Sequence, residues 1–187
     1  QKKNPFGKKG DFVTAPNISN VFSEMIAIWF VSFWENLNRP DRINFIELGP
    51  GNGDFALSLI NTLKRFPNLS KATKIYLYER SEKLIGIQKK KINSRKVSWI
   101  KNFDHINDGP VIFFGNEFLD ALPIKQFKKI KNNIYEKHVL IKNKKIYFIL
   151  KKASKVNIKK LRNYNLLDDD GIIEYPVFGF KELDKVC

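Results

Sequence analysis

Ile43-Asn44-Phe45-Ile46-Glu47-Leu48 runs directly into Gly49-Pro50-Gly51-Asn52-Gly53, after which Phe55, Leu59, Ile60 and Leu63 recur at helical spacing. A short apolar strand, a glycine loop and a helix follow one another here, and the same alternation continues downstream. Ile75-Tyr76-Leu77-Tyr78 reads as a second strand ending at Glu79, with Ser81 capping a helix through Leu84 and Ile87. Val97 to Ile100 is a third strand, and the turn Asn107-Asp108-Gly109-Pro110 leads to a fourth, Val111 to Phe114, which ends in Gly115-Asn116-Glu117. Short apolar strands alternating with helices predict an α/β fold built on a parallel sheet covered on both faces. Upstream, Thr14 can cap a helix and Pro16 suits its first turn. Ile18, Val21, Phe22, Met25, Ile26, Trp29, Phe30 and Phe33 then trace an amphipathic helix with one broad buried face, their aromatic stripe reading as core.

The 187 residues have the length of one ordinary domain, and a hydrophobic content of 43% excludes disorder as a description of the whole. The uncharged run Met25 to Trp34 is about half of the roughly 20 residues that a membrane-spanning helix needs, so neither a transmembrane segment nor a signal peptide is expected. One cysteine, Cys187, and two histidines, His105 and His138, exclude an internal disulfide and a Cys/His zinc site; no metal is expected, and a reducing compartment fits. The chain begins at Gln1 without an initiator methionine and reads as a fragment of something longer.

The net charge of +15 is unevenly spread, with fourteen basic residues from Lys125 to Arg162 against the single acid Glu136. Such a surplus suits nucleic acid, an anionic membrane surface or an acidic protein. It is also what AT-rich coding produces in a chain rich in Lys, Asn, Ile and Phe together, and that bland origin is favoured. The basic stretch reads as a hairpin, with Tyr135 to Ile141 and Ile146 to Leu150 flanking Lys142-Asn143-Lys144-Lys145. An acidic turn at Asp168-Asp169-Asp170-Gly171 then precedes a short strand, Ile172 to Val177. The expected division is into residues 1–124, carrying the N-terminal helix and the parallel sheet, and 125–187, carrying the basic hairpin and the C-terminal segment.

In an open parallel sheet, ligands bind beyond the carboxyl ends of the strands. Gly51 and Gly53 let backbone approach a ligand closely. Glu79 is placed for ribose hydroxyls, and Asn116, Glu117 and Asp120 border the same crevice, where a second substrate would lie. Gly51-Asn52-Gly53-Asp54-Phe55-Ala56 also satisfies the dinucleotide pattern, but Glu79 lies further on than the roughly 20 residues expected of its acid. Glu47 gives Glu-x-Gly-x-Gly-x-Gly, which suits a cofactor with a positively charged amino-acid end. With Glu47, Asp54, Glu79, Glu117 and Asp120 at one edge of a basic protein, a cationic ligand is the natural occupant. Asp104 reads as a loop acid, and the two histidines as ordinary surface residues.

Four blocks carry a family resemblance: Gly10-Asp11-Phe12-Val13-Thr14-Ala15-Pro16 with Ile18-Ser19; Phe22-Ser23-Glu24; Glu47-Leu48-Gly49-Pro50-Gly51-Asn52-Gly53; and Asn116-Glu117-Phe118-Leu119-Asp120-Ala121-Leu122-Pro123. In this order they resemble the MidA-like methyltransferases, clearly from about Asn4 to Val139 and thinly thereafter. The resemblance implies a Rossmann-like class I methyltransferase sheet, here incomplete, that uses S-adenosyl-L-methionine. It implies transfer of a methyl group to an arginine of a protein, a respiratory complex I subunit in the mitochondrial relatives. Glu47, Gly49, Gly51 and Gly53 would then hold the methionine end of the cofactor and Glu79 its ribose. The segment containing Asp11 and Thr14 would close over the site, and Asn116, Glu117 and Asp120 would face the acceptor nitrogen as catalytic residues. The same resemblance implies a cytoplasmic protein in a bacterium and a mitochondrial-matrix protein in a eukaryote. Asn17 and Ser23 depart from the Glu and Gly usual in the family, and Ser23 could crowd a close backbone approach.

RNA methylation is the main enzymatic alternative, because only the acceptor would differ; Phe127, Tyr135, Tyr147 and Phe148 accompany the lysines without forming an RNA-binding signature. A non-enzymatic assembly factor gripping its partner through the basic hairpin is the alternative from another class, and an NAD-dependent oxidoreductase is the weakest. Oligomeric state is not readable.

Overall fold

The computed structural model describes residues 20–104, 106, 108–167 and 171–176. Expectations that fall on Asp11, Thr14, Pro16, His105, Asn107, Asp168 to Asp170 and Val177 lie outside these residues. The chain divides into two units, Gln1–Phe118 and Leu119–Cys187.

The first unit contains α1 (Asn20–Asn36), β1 (Ile43–Leu48), α2 (Asp54–Leu63), α3 (Pro67–Ala72), β2 (Thr73–Tyr78), α4 (Glu82–Lys91), β3 (Val97–Ile100) and β4 (Val111–Phe114). Its four strands lie in the order β3-β2-β1-β4, and every pairing is parallel. β1 is central and buried from Ile43 to Glu47, which is why it reads as an apolar run without alternation. One face of the sheet meets Phe30 of α1 and Phe55 of α2 through Phe45, with ring centroids 5.1 Å and 6.0 Å away. Phe114 stacks on Phe55 at 4.3 Å on the same side. The opposite face gathers Ile46, Tyr76 and Tyr78 with Phe103, Phe113 and Phe118. Helix α4 starts where expected, with the Ser81 hydroxyl accepting from Leu84 N at 3.4 Å. Pro67 opens α3, a helix that the sequence reading passed over.

The broad buried face expected of α1 is narrower than its apolar pattern. Ser23, Ala27, Phe30 and Trp34 are buried, but Met25 is 60%, Ile28 49% and Trp29 51% exposed. A helix lying on one sheet turns only a stripe of its circumference inward, and apolar residues occupy more of α1 than that stripe. The Trp34 indole N–H donates to Pro40 O at 2.9 Å, fixing the chain where it leaves the helix.

The second unit is an antiparallel sheet of β5 (Ile124–Ile130), β6 (Asn133–Lys142), β7 (Lys145–Lys152) and β8 (Ile172–Pro176) in the order β7-β6-β5-β8, with α5 (Lys155–Asn163) between β7 and β8 in the chain. The expected hairpin is β6-β7, with Lys142 opposite Lys145. Asn143 and Lys144 both take positive φ, 52° and 60°, as a two-residue hairpin turn matched to strand twist requires. Strand β5 and helix α5 were not anticipated. A small core of Phe127, Ile134, Ala153, Leu161, Ile173 and Tyr175 unites them, and Ser154 caps α5 by accepting from Asn157 N at 3.2 Å.

Candidate functional site

The carboxyl ends of β1 and β2 carry the glycine loop and Glu79 side by side. Gly49 N donates to Tyr78 O at 3.1 Å, and Glu79 N donates to Ile100 O at 3.2 Å, so the ladder extends past both strand ends and fixes their spacing. The loop closes on itself through Gly53 N to Pro50 O at 2.8 Å. At two glycines a side chain would be strained and crowded. Gly49 has φ +66° and a Cβ there would stand 2.8 Å from the Phe118 ring; Gly53 has φ +77° and its Cβ would stand 2.9 Å from Ile92. Phe118, in the last of the four sequence blocks, is thus the wall against which the loop is laid.

Glu47 is the outlier among the carboxylates. Its side chain is buried and its Oε2 has no hydrogen-bond partner among the described residues. Burial, with the charge of Asp54 adding to it, pushes this carboxyl up to about 8. A buried acceptor left unpartnered is expensive, and a cationic group beside the loop would supply the partner it lacks. On this ground the residues fit a cofactor with a positively charged amino-acid end. Asp54 itself opens α2, where the helix dipole favours its charge, and it pairs with Lys91 of α4.

Glu79 is buried and held by its own turn. Its Oε1 accepts from Arg80 N and Ser81 N, both at 2.8 Å, while its Oε2 receives, among the described residues, a long contact of 3.4 Å from Gln88 Nε2. One oxygen therefore builds the turn, and the other keeps acceptor capacity for a hydroxyl. Gln88, which the sequence reading did not single out, is fully buried and also donates to Gly51 O at 2.7 Å and accepts from Trp99 Nε1 at 2.8 Å. The only hint of it in the sequence is a polar residue where α4 turns inward.

Asn116 and Glu117 follow β4, with Glu117 exposed and in the left-handed region at φ 52°. A non-glycine residue in that region is uncommon outside turns and active sites. Asp120 is exposed and belongs to the second unit. Ser23 is buried with its hydroxyl unpartnered among the described residues. An open groove of about 240 Å³ beside α2 is bordered by Glu24, Asp54, Ser58, Asn61 and Arg65. Among the described residues no group of three His, Cys, Asp or Glu is placed to hold a metal ion, and no helix is long and apolar enough to cross a membrane.

Residues 25–177 match the model of a protein family described as "Putative S-adenosyl-L-methionine-dependent methyltransferase". The chain belongs to this MidA-like family, whose cofactor is S-adenosyl-L-methionine. It is 34% identical over 191 residues to a Caenorhabditis elegans protein named "Protein arginine methyltransferase NDUFAF7 homolog, mitochondrial", covering 91% of this chain and 44% of that one. It is 31% identical over 171 residues to the Xenopus laevis "Protein arginine methyltransferase NDUFAF7, mitochondrial", covering 77% of this chain and 39% of the relative. The chain thus spans less than half the length of these curated relatives. A Burkholderia thailandensis crystal structure with S-adenosyl-homocysteine bound superposes with a TM-score of 0.72 at 23% identity, covering 98% of this chain and 49% of its own, and so shares the fold.

Proposed function

We propose that this family member binds S-adenosyl-L-methionine at the carboxyl ends of β1 and β2 and acts as a methyltransferase on an arginine side chain of a protein. The observation that carries the reading is the buried Glu47 carboxyl, whose Oε2 has no hydrogen-bond partner among the described residues, beside a glycine loop and one strand away from Glu79. Arginine as acceptor is favoured by the names of the relatives.

The cofactor supplies an electrophilic methyl group on a sulfonium, and transfer is an in-line displacement that depends on alignment. The residues of this chain provide the alignment. Gly49, Gly51 and Gly53 keep the loop bare, Glu47 takes the cationic amino-acid end, and Glu79 takes the ribose hydroxyls. A guanidinium is protonated at physiological pH, and its nitrogen becomes nucleophilic only when carboxylates localise its charge and accept the departing proton. Glu117 fills that role, with Asn116 orienting the acceptor. In a eukaryotic cell the protein would work in the mitochondrial matrix.

The test is transfer of labelled methyl from S-adenosyl-L-methionine to arginine in a protein, with Glu117→Gln as the control. The variant should lose turnover while binding the cofactor nearly as well as the parent. Labelling of RNA in place of protein would move the acceptor to nucleic acid, and binding without any transfer would leave a partner-gripping protein that retains the fold.

A further inference from the structure

The amide of Gln88 is oriented by chemistry alone. Gly51 O and the Glu79 carboxylate can only accept and the Trp99 indole can only donate, so Nε2 faces the first two and Oε1 the third, at 2.7, 3.4 and 2.8 Å. One fully buried side chain therefore joins the glycine loop, the acid at the end of β2 and the strand β3. Its Cγ also stands 3.3 Å from where a Cβ on Gly53 would sit, so the same turn of α4 closes on both ends of the loop's last segment. A buried glutamine that served packing alone would be replaceable by an apolar side chain of the same shape. This one sits where loop and ribose acid must be set relative to each other.

We propose that Gln88 is a positioning residue for the cofactor: it aims Glu79 Oε2 at the ribose and locks the Gly51 carbonyl, so that the loop and the ribose acid act as one site. Trp99 completes the device by holding the Gln88 amide from behind. The proposal rests on the reading of Glu79 as the ribose acid.

The experiment titrates S-adenosyl-homocysteine, and its analogue lacking both ribose hydroxyls, against the full chain and against Glu79→Gln, Gln88→Met and Trp99→Phe. The parent should prefer the hydroxylated ligand by about tenfold or more, the range of a hydrogen bond to a charged group. Gln88→Met should lose most of that preference, and it should also weaken the dideoxy analogue, by a smaller factor than the hydroxylated ligand, because the Gly51 carbonyl is released as well. The Trp99 indole N–H resonance, which should move on ligand addition in the parent, should be displaced in the free variant and stop responding. Trp99→Phe, which leaves the amide in place, should show a smaller loss in the same direction and keeps the test open if Gln88→Met does not fold. Full ribose preference in either variant overturns the role of Gln88. Full preference in Glu79→Gln, or no binding to the parent, overturns the underlying site, and the proposal with it.

Discussion

The two sheets of this chain differ in what they bury. β1 has five of its six residues buried between two layers of aromatic side chains, whereas every residue of β7 except Ile149 is exposed. The acids that make the candidate cofactor site stand at the ends of the first kind of strand, and most of the surplus lysines stand on the second. A parallel sheet covered on both faces can shut water away from a carboxylate such as Glu47; an antiparallel sheet with one covered face cannot. The contrast explains why Glu47 is strongly perturbed, whereas Glu136, the lone acid of the basic stretch, is satisfied by Lys125 at 2.8 Å and Asn157 at 3.0 Å.

The largest blow to this contrast would come from Phe45→Ala. It should destabilise the chain by about 3–5 kcal/mol in chemical denaturation, since the ring is fully buried among Phe30, Phe55 and Phe114. Next is the pH response of Glu47. Its folded pKa, about 8, lies above the unfolded value, so the folded chain holds an extra proton between the two and stability falls as pH rises from about 4.5 to 8. Glu47→Gln should flatten that part of the stability profile and make the ligand-free chain more stable at pH 8. A cationic ligand wants this carboxyl ionised, so cofactor affinity should rise towards pH 8 in the parent, by at most about tenfold per pH unit, and lose that rise in Glu47→Gln. An unchanged profile in the variant would remove Glu47 from the site.

Two smaller effects sharpen the other side of the comparison. Ser154→Ala removes the cap of α5 and should cost about 1 kcal/mol, read as a shift in the denaturation midpoint of the second unit. Phe148→Ser, on the 68% exposed hairpin face, should change stability by no more than about 0.5 kcal/mol. A loss there as large as that of Phe45→Ala would mean that the hairpin is covered in the working molecule.

Most of the first sheet was legible because its strands are continuous apolar runs punctuated by glycine, proline and a capping serine. The places of the glycines and Glu79 after their strands, and of Glu47 inside β1, were legible for the same reason: they punctuate those runs. Helix α1 was legible as a helix and misleading as a surface, since its pattern names apolar positions without saying which of them face the sheet; Trp29 and Phe30 are neighbours in sequence, and only Phe30 is buried. Strand β5 escaped because Lys125-Gln126-Phe127-Lys128-Lys129 has one buried side chain and reads as a charge run. Gln88 escaped because its importance lies in three partners, at positions 51, 79 and 99, that only the fold brings together.

The strand order has a temporal consequence. β1 is flanked by β2 on one side and β4 on the other, and about sixty residues separate Leu48 from Val111. At a synthesis rate of roughly 5–20 residues per second, the second edge of this buried central strand waits about 3–12 seconds for its partner to emerge from the ribosome. During that interval β1 can pair with β2 on one side but offers open backbone on the other, so the nascent chain is most vulnerable to mispairing after its future cofactor loop has been made.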